Sequence, residues 1–354
     1  MRGIFRELSH NGEEGNITMH EDLPMPTLDD NSVLVQVKAC GLSLVSGKVL
    51  SSLFKKAPRS QHPVGHEVAG IVTHVGEAVT SLKTGDDVVG ILPLDSPYPG
   101  CADFVAINEY NVIKKSSGVS YLDAAACVGD AVKAYTALHY MARICSGDTI
   151  LILDGASSSS SVAIQLAQSW GAKVLSTAST AEERLYLEGI QPPLAQVIET
   201  SAKGGVILSG VMEETGGIGV DCIIDNGVKL FTNEEDENID VETHDFPVPL
   251  KHEVISSLAV GGRWVTSQAD LQIDPPDSQL LYLKSANISY LFHQAWTLSL
   301  GQQGRYQHIL KDIMNRLEKG TLRPNIVRTV SMEFAVEELK RLSDIRVGKV
   351  VMEI

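Results

Sequence analysis

The stretch that most narrows what this chain can fold into runs from Thr149 to Ala167. An apolar run, Thr149-Ile150-Leu151-Ile152-Leu153, meets a turn at Gly155 and then the helical pattern Val162-Ala163-Ile164-Gln165-Leu166-Ala167. A second apolar strand, Lys173-Val174-Leu175-Ser176, returns after Gly171. Strand, tight turn, helix and returning strand open a βαβ unit of the kind that holds a dinucleotide at the helix N-terminus. The turn departs from that pattern. Gly155 is followed by Ala156-Ser157-Ser158-Ser159-Ser160-Ser161, where such loops are usually rich in glycine. Those glycines turn tightly, let backbone N–H groups approach a pyrophosphate, and let helix and strand pack closely. Serine keeps the N–H donors and adds a hydroxyl. Its Cβ, however, costs roughly 1–2 kcal/mol in a left-handed backbone. Two outcomes stay open: a serine loop that still holds a dinucleotide, and a serine-rich helix cap with no ligand.

The first third reads as β-rich. Ser32–Ala39 alternates like a half-buried strand, and Val68–Val75 and Asp87–Ile91 read the same way. Leu28-Asp29-Asp30-Asn31 and Lys83-Thr84-Gly85-Asp86 supply the turns. Near Tyr121 the period becomes helical, through Ala124-Ala125-Ala126 and Val132–Leu138. From there to about Phe292 strands and helices alternate, which predicts a doubly wound parallel sheet covered on both faces. Its further strands are Val220–Asp225, Gly262–Thr266 and Ile288–Phe292. In the tail, Tyr306, Ile309, Leu310, Ile313 and Leu317 share one helical face, Gly320 is the stop, and Gly348–Ile354 is a last strand. By period the chain divides into 1–122, 123–292 and 293–354.

Charge narrows the partners. With 29 basic and 44 acidic residues the chain carries −15. That argues against nucleic acid, including single-stranded RNA, and against an anionic membrane surface. The aromatic share, 5%, points the same way for RNA. No apolar run approaches the roughly 20 residues of a membrane helix, and Met1–Glu7 reads as mature strand. Cys40, Cys101, Cys127, Cys145 and Cys222 are scattered and read as reduced core thiols, which predicts a cytosolic address. Between Phe231 and Phe246 lie seven carboxylates and no Lys or Arg, a solvated loop or a docking surface.

Gly65-His66-Glu67-Val68-Ala69-Gly70 followed by Gly76, Lys83–Gly90, Ala134-Tyr135-Thr136-Ala137-Leu138, Glu214–Asp221 and Gly348-Lys349-Val350-Val351 occur in this order along nearly the whole chain. Together they resemble the medium-chain dehydrogenase/reductase superfamily, in its zinc-free quinone oxidoreductase branch. Gly90–Asp95, Gln191-Pro192-Pro193 and Asp274-Pro275-Pro276-Asp277-Ser278 look like a zeta-crystallin-like subgroup of that branch. The resemblance implies an α/β chain. A GroES-like β-rich catalytic domain would be built from both ends, with a Rossmann domain between them. It also implies NADPH-dependent reduction of quinones or related conjugated carbonyls (enones), in a homo-oligomer, dimer or tetramer.

Carried onto this sequence, the resemblance also assigns positions. Zinc-dependent relatives hold the metal with two cysteines and the His of Gly-His-Glu; here those positions are Ser43, His66 and about Gly129. One imidazole makes no tetrahedral site, so no metal is expected and His66 is read as a hydrogen-bonded scaffold residue. The cofactor would be lined by Ser157, Ser158, Ser159, Ser160, Ser176, Thr177, Asn226 and Thr266. The neutral run Ser176-Thr177-Ala178-Ser179-Thr180, with Arg184 beyond, favours NADPH over NADH, although Glu182 and Glu183 stand close by. Ser43 and Lys133 are the candidates at the substrate end, and Lys133 stands where the branch usually has Thr. It could pair with Asp130, bind an anionic substrate, or lie at the nicotinamide site. No tyrosine occurs between Ser43 and Gly65, so the usual proton donor is missing. Hydride transfer needs alignment and charge stabilisation, and water can protonate a quinol. The rival reading is a catalytically impaired member of the fold that serves as a binding or assembly module. It rests on the joint departures at the serine loop, the missing tyrosine and Lys133.

Overall fold

The structure is a computed structural model and describes residues 1–8, 14–56, 59–200, 205–230 and 248–354. The acidic stretch 231–246 lies outside the described residues. Along the chain come β1 (Gly3–Leu8), β2 (Glu14–His20), β3 (Ser32–Gly41), α1 (Gly47–Leu53), β4 (Gln61–Pro63) and β5 (Glu67–Val75). Then follow β6 (Asp87–Ile91), β7 (Phe104–Asn108), β8 (Val112–Lys114) and α2 (Tyr121–Tyr135), which runs on into a π-helical stretch, Thr136–Met141. The alternating part is β9 (Thr149–Ile152), α3 (Ser158–Ser169), β10 (Lys173–Ala178), α4 (Ala181–Glu188), β11 (Gln196–Glu199) and α5 (Val206–Thr215). It continues as β12 (Val220–Asp225), α6 (Lys251–Ser257), β13 (Leu258–Thr266), α7 (Pro275–Leu283) and β14 (Asn287–Tyr290). Last are α8 (Ala295–Leu298), α9 (Gln303–Glu318), β15 (Ile326–Ser331), α10 (Met332–Lys340) and β16 (Lys349–Glu353). No described helix is long and apolar enough to cross a membrane.

Two compact units result, residues 1–132 with 293–354, and residues 133–292. In the first, β2-β1-β4 form one small sheet, and β15-β16-β3-β5-β6-β8 form a larger one to which β7 adds through β3. β3 is its spine. It pairs antiparallel with β5 along one side and with β7 and then β16 along the other. Eight of its ten residues are consequently buried, more than the half-buried alternation the sequence predicts, and only Gln36 and Lys38 reach toward solvent. Val33, Val35, Val37, Val68, Val72, Val105 and Ile107 pack into this core with Met332 and Leu339 of α10. α9 buries Tyr306, Ile309, Leu310, Ile313 and Leu317, the residues its periodicity selects, and Gly320 ends it at φ +69°.

The second unit is a six-stranded, all-parallel sheet in the order β11-β10-β9-β12-β13-β14. The order reverses between β9 and β12, which makes the crevice at their C-terminal ends the place where such sheets bind ligands. Ile150, Leu151 and Ile152 are fully buried, as strands covered on both faces must be. Two edges differ from expectation. β13 starts at Leu258, not Gly262, because α6 runs directly into it without a loop. β14 is only partly covered, with Tyr290 53% exposed, because it ends the described sheet. Four of the five cysteines are buried, but Cys145 is exposed in the turn before β9 and so is no core thiol.

Candidate functional site

The serine loop folds without the strain its sequence suggests. Ser157 is extended (φ −61°, ψ 153°) as the N-cap of α3, and its carbonyl accepts the Ser161 N–H at 2.9 Å. Ser158–Ser161 already lie in the helix, and the left-handed residue is Asp154, at φ +53°. Aspartate tolerates that region better than serine does. Its N–H is held by Thr177 Oγ1 at 2.8 Å, and the Gly155 N–H reaches the Thr177 carbonyl at 3.3 Å. Gly155 is indispensable for a different reason: a Cβ there would overlap the Ser176 hydroxyl and crowd Ile164. The tight turn is thus made by Asp154-Gly155, and the serines are left to build the helix start.

The expected cofactor residues fall into two groups. Ser176 is fully buried and donates to the Ile152 carbonyl at 2.7 Å; Thr266, also buried, donates to Asp225 at 2.8 Å. With Thr177, these hydroxyls fix the strand ends. Ser160 donates to the Leu153 carbonyl at 3.2 Å. Ser157, Ser158 and Ser159 are half-buried at the helix mouth. The Ser157 hydroxyl oxygen is buried and has no hydrogen-bond partner among the described residues. A buried hydroxyl without a partner, beside first-turn N–H groups that have no intrahelical acceptor, suits an anionic group such as a pyrophosphate.

Lys133, in the last turn of α2, reaches the same place. Its ammonium donates to Asn226 Oδ1 at 2.7 Å and to Ser159 Oγ at 3.4 Å, and Asn226 Nδ2 approaches Ser160 Oγ at 3.5 Å. Asn226 follows directly on β12, so α2, α3 and the switch-point strand meet at one ammonium. Behind it, Asp225 is buried and bonded to the Trp264 indole and Thr266. Burial pushes Asp225 above the ordinary carboxylate range, while those hydrogen bonds and the Lys133 charge oppose the rise. At the end of β10, the Ser179 N–H and hydroxyl both donate to Glu183, a buried carboxylate. Arg184 is engaged by Glu188 and Glu199.

In the first unit, a charged group stands beside His66 and Gly129. Lys349 of β16, 5% exposed, pairs with Glu67 of β5 and with Asp130 of α2, the latter at 3.1 Å. Burial pushes Glu67 up to about 7; Lys349 opposes this and Asp130 adds to it. Burial alone would lower Lys349, yet its two carboxylates hold it above the ordinary lysine value. The Glu67 carboxylate occupies the space a Cβ at Gly129 would need, and it also crowds Gly41. His66, expected to be a hydrogen-bonded scaffold residue, is hydrogen-bonded to the Leu92 backbone but leaves Nδ1 buried without a partner, and burial pushes it down to about 4. It is therefore neutral at physiological pH. Among the described residues no cluster of three or more His, Cys, Asp or Glu side chains could hold a metal ion. Ser43 is half-buried just beyond β3. Sequence reasoning missed the Lys349–Glu67–Asp130 group and the Lys133–Asn226 contact, since no periodicity links residues 93 to 282 positions apart. A cavity of about 300 Å³ beside Lys115, Tyr121 and Glu353 contains none of the expected site residues.

Comparison with known proteins adds the following. The family model for the alcohol dehydrogenase GroES-like domain matches residues 29–140. Over 324 residues the chain is 42% identical to quinone oxidoreductase-like protein 1 of Mus musculus, covering 92% of this chain and 91% of that protein. A quinone oxidoreductase of Pseudomonas syringae pv. tomato superposes with a TM-score of 0.79 at 21% identity, covering 100% of both chains. A mycobacterial protein solved in complex with NADPH gives 0.78 at 21% identity, again over 100% of both. At such identities the two structures speak for the fold alone.

Proposed function

The chain belongs to the quinone oxidoreductase branch of the medium-chain dehydrogenase/reductase superfamily, and from that premise we propose a zinc-free NAD(P)H-dependent reductase of quinones or related conjugated carbonyls. The observation that carries this reading is the mouth of α3. It lies at the switch point of a parallel sheet, with the turn strain borne by Asp154-Gly155 and the Ser157 hydroxyl still unpartnered. When bound, the nicotinamide supplies the hydride. The chain's part is to bind and orient. Ser157, Ser158 and Ser159 offer donors at the helix mouth, and Ser160 and Asn226 brace it. Ser176, Thr177 and Thr266 hold the strand ends that shape the crevice. Ser43 is the polar candidate toward the substrate.

The preference for NADPH over NADH rests on the neutral hydroxyls of Ser179 and Thr180 at the end of β10. Glu183 accepts from Ser179 instead of standing open to a ribose. Arg184, already engaged by two carboxylates, adds little to that preference. A homo-oligomer is proposed on the exposed edge of the second unit, where Tyr290 and Phe292 stand at the open side of β14. The unpaired thiols support a reducing, cytosolic setting.

Calorimetric titration of NADPH, and separately NADH, into the purified protein tests the reading. Micromolar NADPH binding with weaker NADH binding is expected. No heat from either at millimolar concentration would overturn it and leave the fold as a protein-binding module.

A further inference from the structure

We propose that Lys133 is a phosphate clamp: its ammonium, with Asn226 and the Ser157–Ser159 end of α3, binds the pyrophosphate of the dinucleotide. A fixed side-chain charge then does here what close backbone approach does in a glycine loop. The inference rests on the reading that the second unit binds NAD(P)H, and it moves Lys133 from the substrate end to the cofactor's phosphates.

Position comes first. Lys133 Nζ lies 2.7 Å from Asn226 Oδ1 and 3.4 Å from Ser159 Oγ, so it is held at the first turn of α3. Charge comes second. The N-terminus of a helix carries a partial positive charge. An ammonium fixed beside it is a like-sign arrangement, which an anion between the two converts into attraction. Asp225, behind the ammonium, is buried and committed to Trp264 and Thr266, and the Asn226 amide oxygen accepts from the ammonium. A phosphate oxygen is a stronger acceptor than an amide oxygen, and an ammonium has three protons to share. The third observation is the Ser157 hydroxyl, buried and unpartnered at the same helix mouth. Backbone geometry completes the argument. With Ser157 extended and Ser158–Ser161 helical, the serines hold none of the left-handed positions through which glycines bring their amides forward, and the one such residue of the turn is Asp154. Charge has to come from a side chain, and Lys133 brings it.

Inorganic pyrophosphate is the probe, because it tests the clamp without the rest of the dinucleotide. Pyrophosphate and NADPH are titrated separately into the wild-type protein, Lys133→Gln and Lys133→Arg, at low and high salt. Thermal unfolding of each variant checks that the fold is intact. Pyrophosphate affinity is expected to fall about tenfold or more in Lys133→Gln. Its salt dependence should flatten, and Lys133→Arg should recover much of the loss. Equal pyrophosphate affinity in wild type and Lys133→Gln overturns the proposal, as does a wild type that does not bind pyrophosphate. The two readings fail separately. NADPH binding untouched by Lys133→Gln removes the clamp and keeps the cofactor. Pyrophosphate binding that depends on Lys133, in a protein that ignores NADPH, keeps the clamp as an anion site and removes the dinucleotide.

Discussion

Glu67 illustrates how much a single buried group can govern. One ammonium, Lys349, faces two carboxylates in a site closed to solvent, and burial pushes Glu67 up to about 7 from an ordinary value near 4.5. Between those two values the folded chain binds a proton that the unfolded chain has released, so stability falls as pH rises through that window. This group's contribution has a slope of at most about 1.4 kcal/mol per pH unit. Glu67→Gln keeps the shape and removes the titration. Urea unfolding midpoints at intervals from pH 5 to 8 are expected to fall less steeply with pH in that variant than in the wild type. Equal slopes would assign the pH dependence elsewhere. Little of this was legible in the sequence. The Gly-His-Glu segment marks a scaffold, but Lys349 stands 282 positions after Glu67 and shows itself only once β16 pairs with β3.

At the scale of the element, legibility followed period. α9 shows its buried face directly, and β9, β10 and β12 are apolar runs that could only be strands covered on both sides. The start of β13 was hidden because α6 passes into it without turn residues. The tail strand β15 was missed because it is mostly exposed and shows no buried face, and α10 was missed along with it. α5 is capped by Glu253, whose carboxylate accepts the Ile207 and Leu208 N–H groups from 46 and 45 residues away, and no local signal announces that. The serine loop was misjudged for a related reason. The strain was assigned to the serines, while the backbone placed it at Asp154, where the Thr177 hydroxyl holds the N–H. Restoring glycine is therefore expected to do harm. Ser158→Gly and Ser159→Gly should each destabilise α3, by up to about 0.5 kcal/mol, and leave NADPH affinity no better. Thermal unfolding and calorimetry on the same samples check both halves; a glycine variant that binds more tightly would contradict the geometry.

For the whole molecule, the open edge of the second unit is the feature with a solution consequence. Tyr290 of β14 and Phe292 just beyond it are exposed large apolar groups at the strand that ends the described sheet, which a second copy could cover. Tyr290→Lys, at a side chain already 53% exposed, should leave the fold intact and shift the mass seen by light scattering toward the monomer. An unchanged oligomer would place the interface elsewhere. The division of the chain carries a different consequence, one of timing. The second unit is a single stretch, residues 133–292, whereas the first needs residues on both sides of it. β16 must emerge before the end of β3, Ala39–Gly41, gains its second neighbour and before Lys349 can meet Glu67 and Asp130. During synthesis the middle of the protein can therefore finish folding at the ribosome while the first 132 residues wait with two carboxylates uncompensated. A ribosome that stops short of residue 349 leaves behind a chain whose β-rich half cannot close, and such a chain is open to chaperones and proteases.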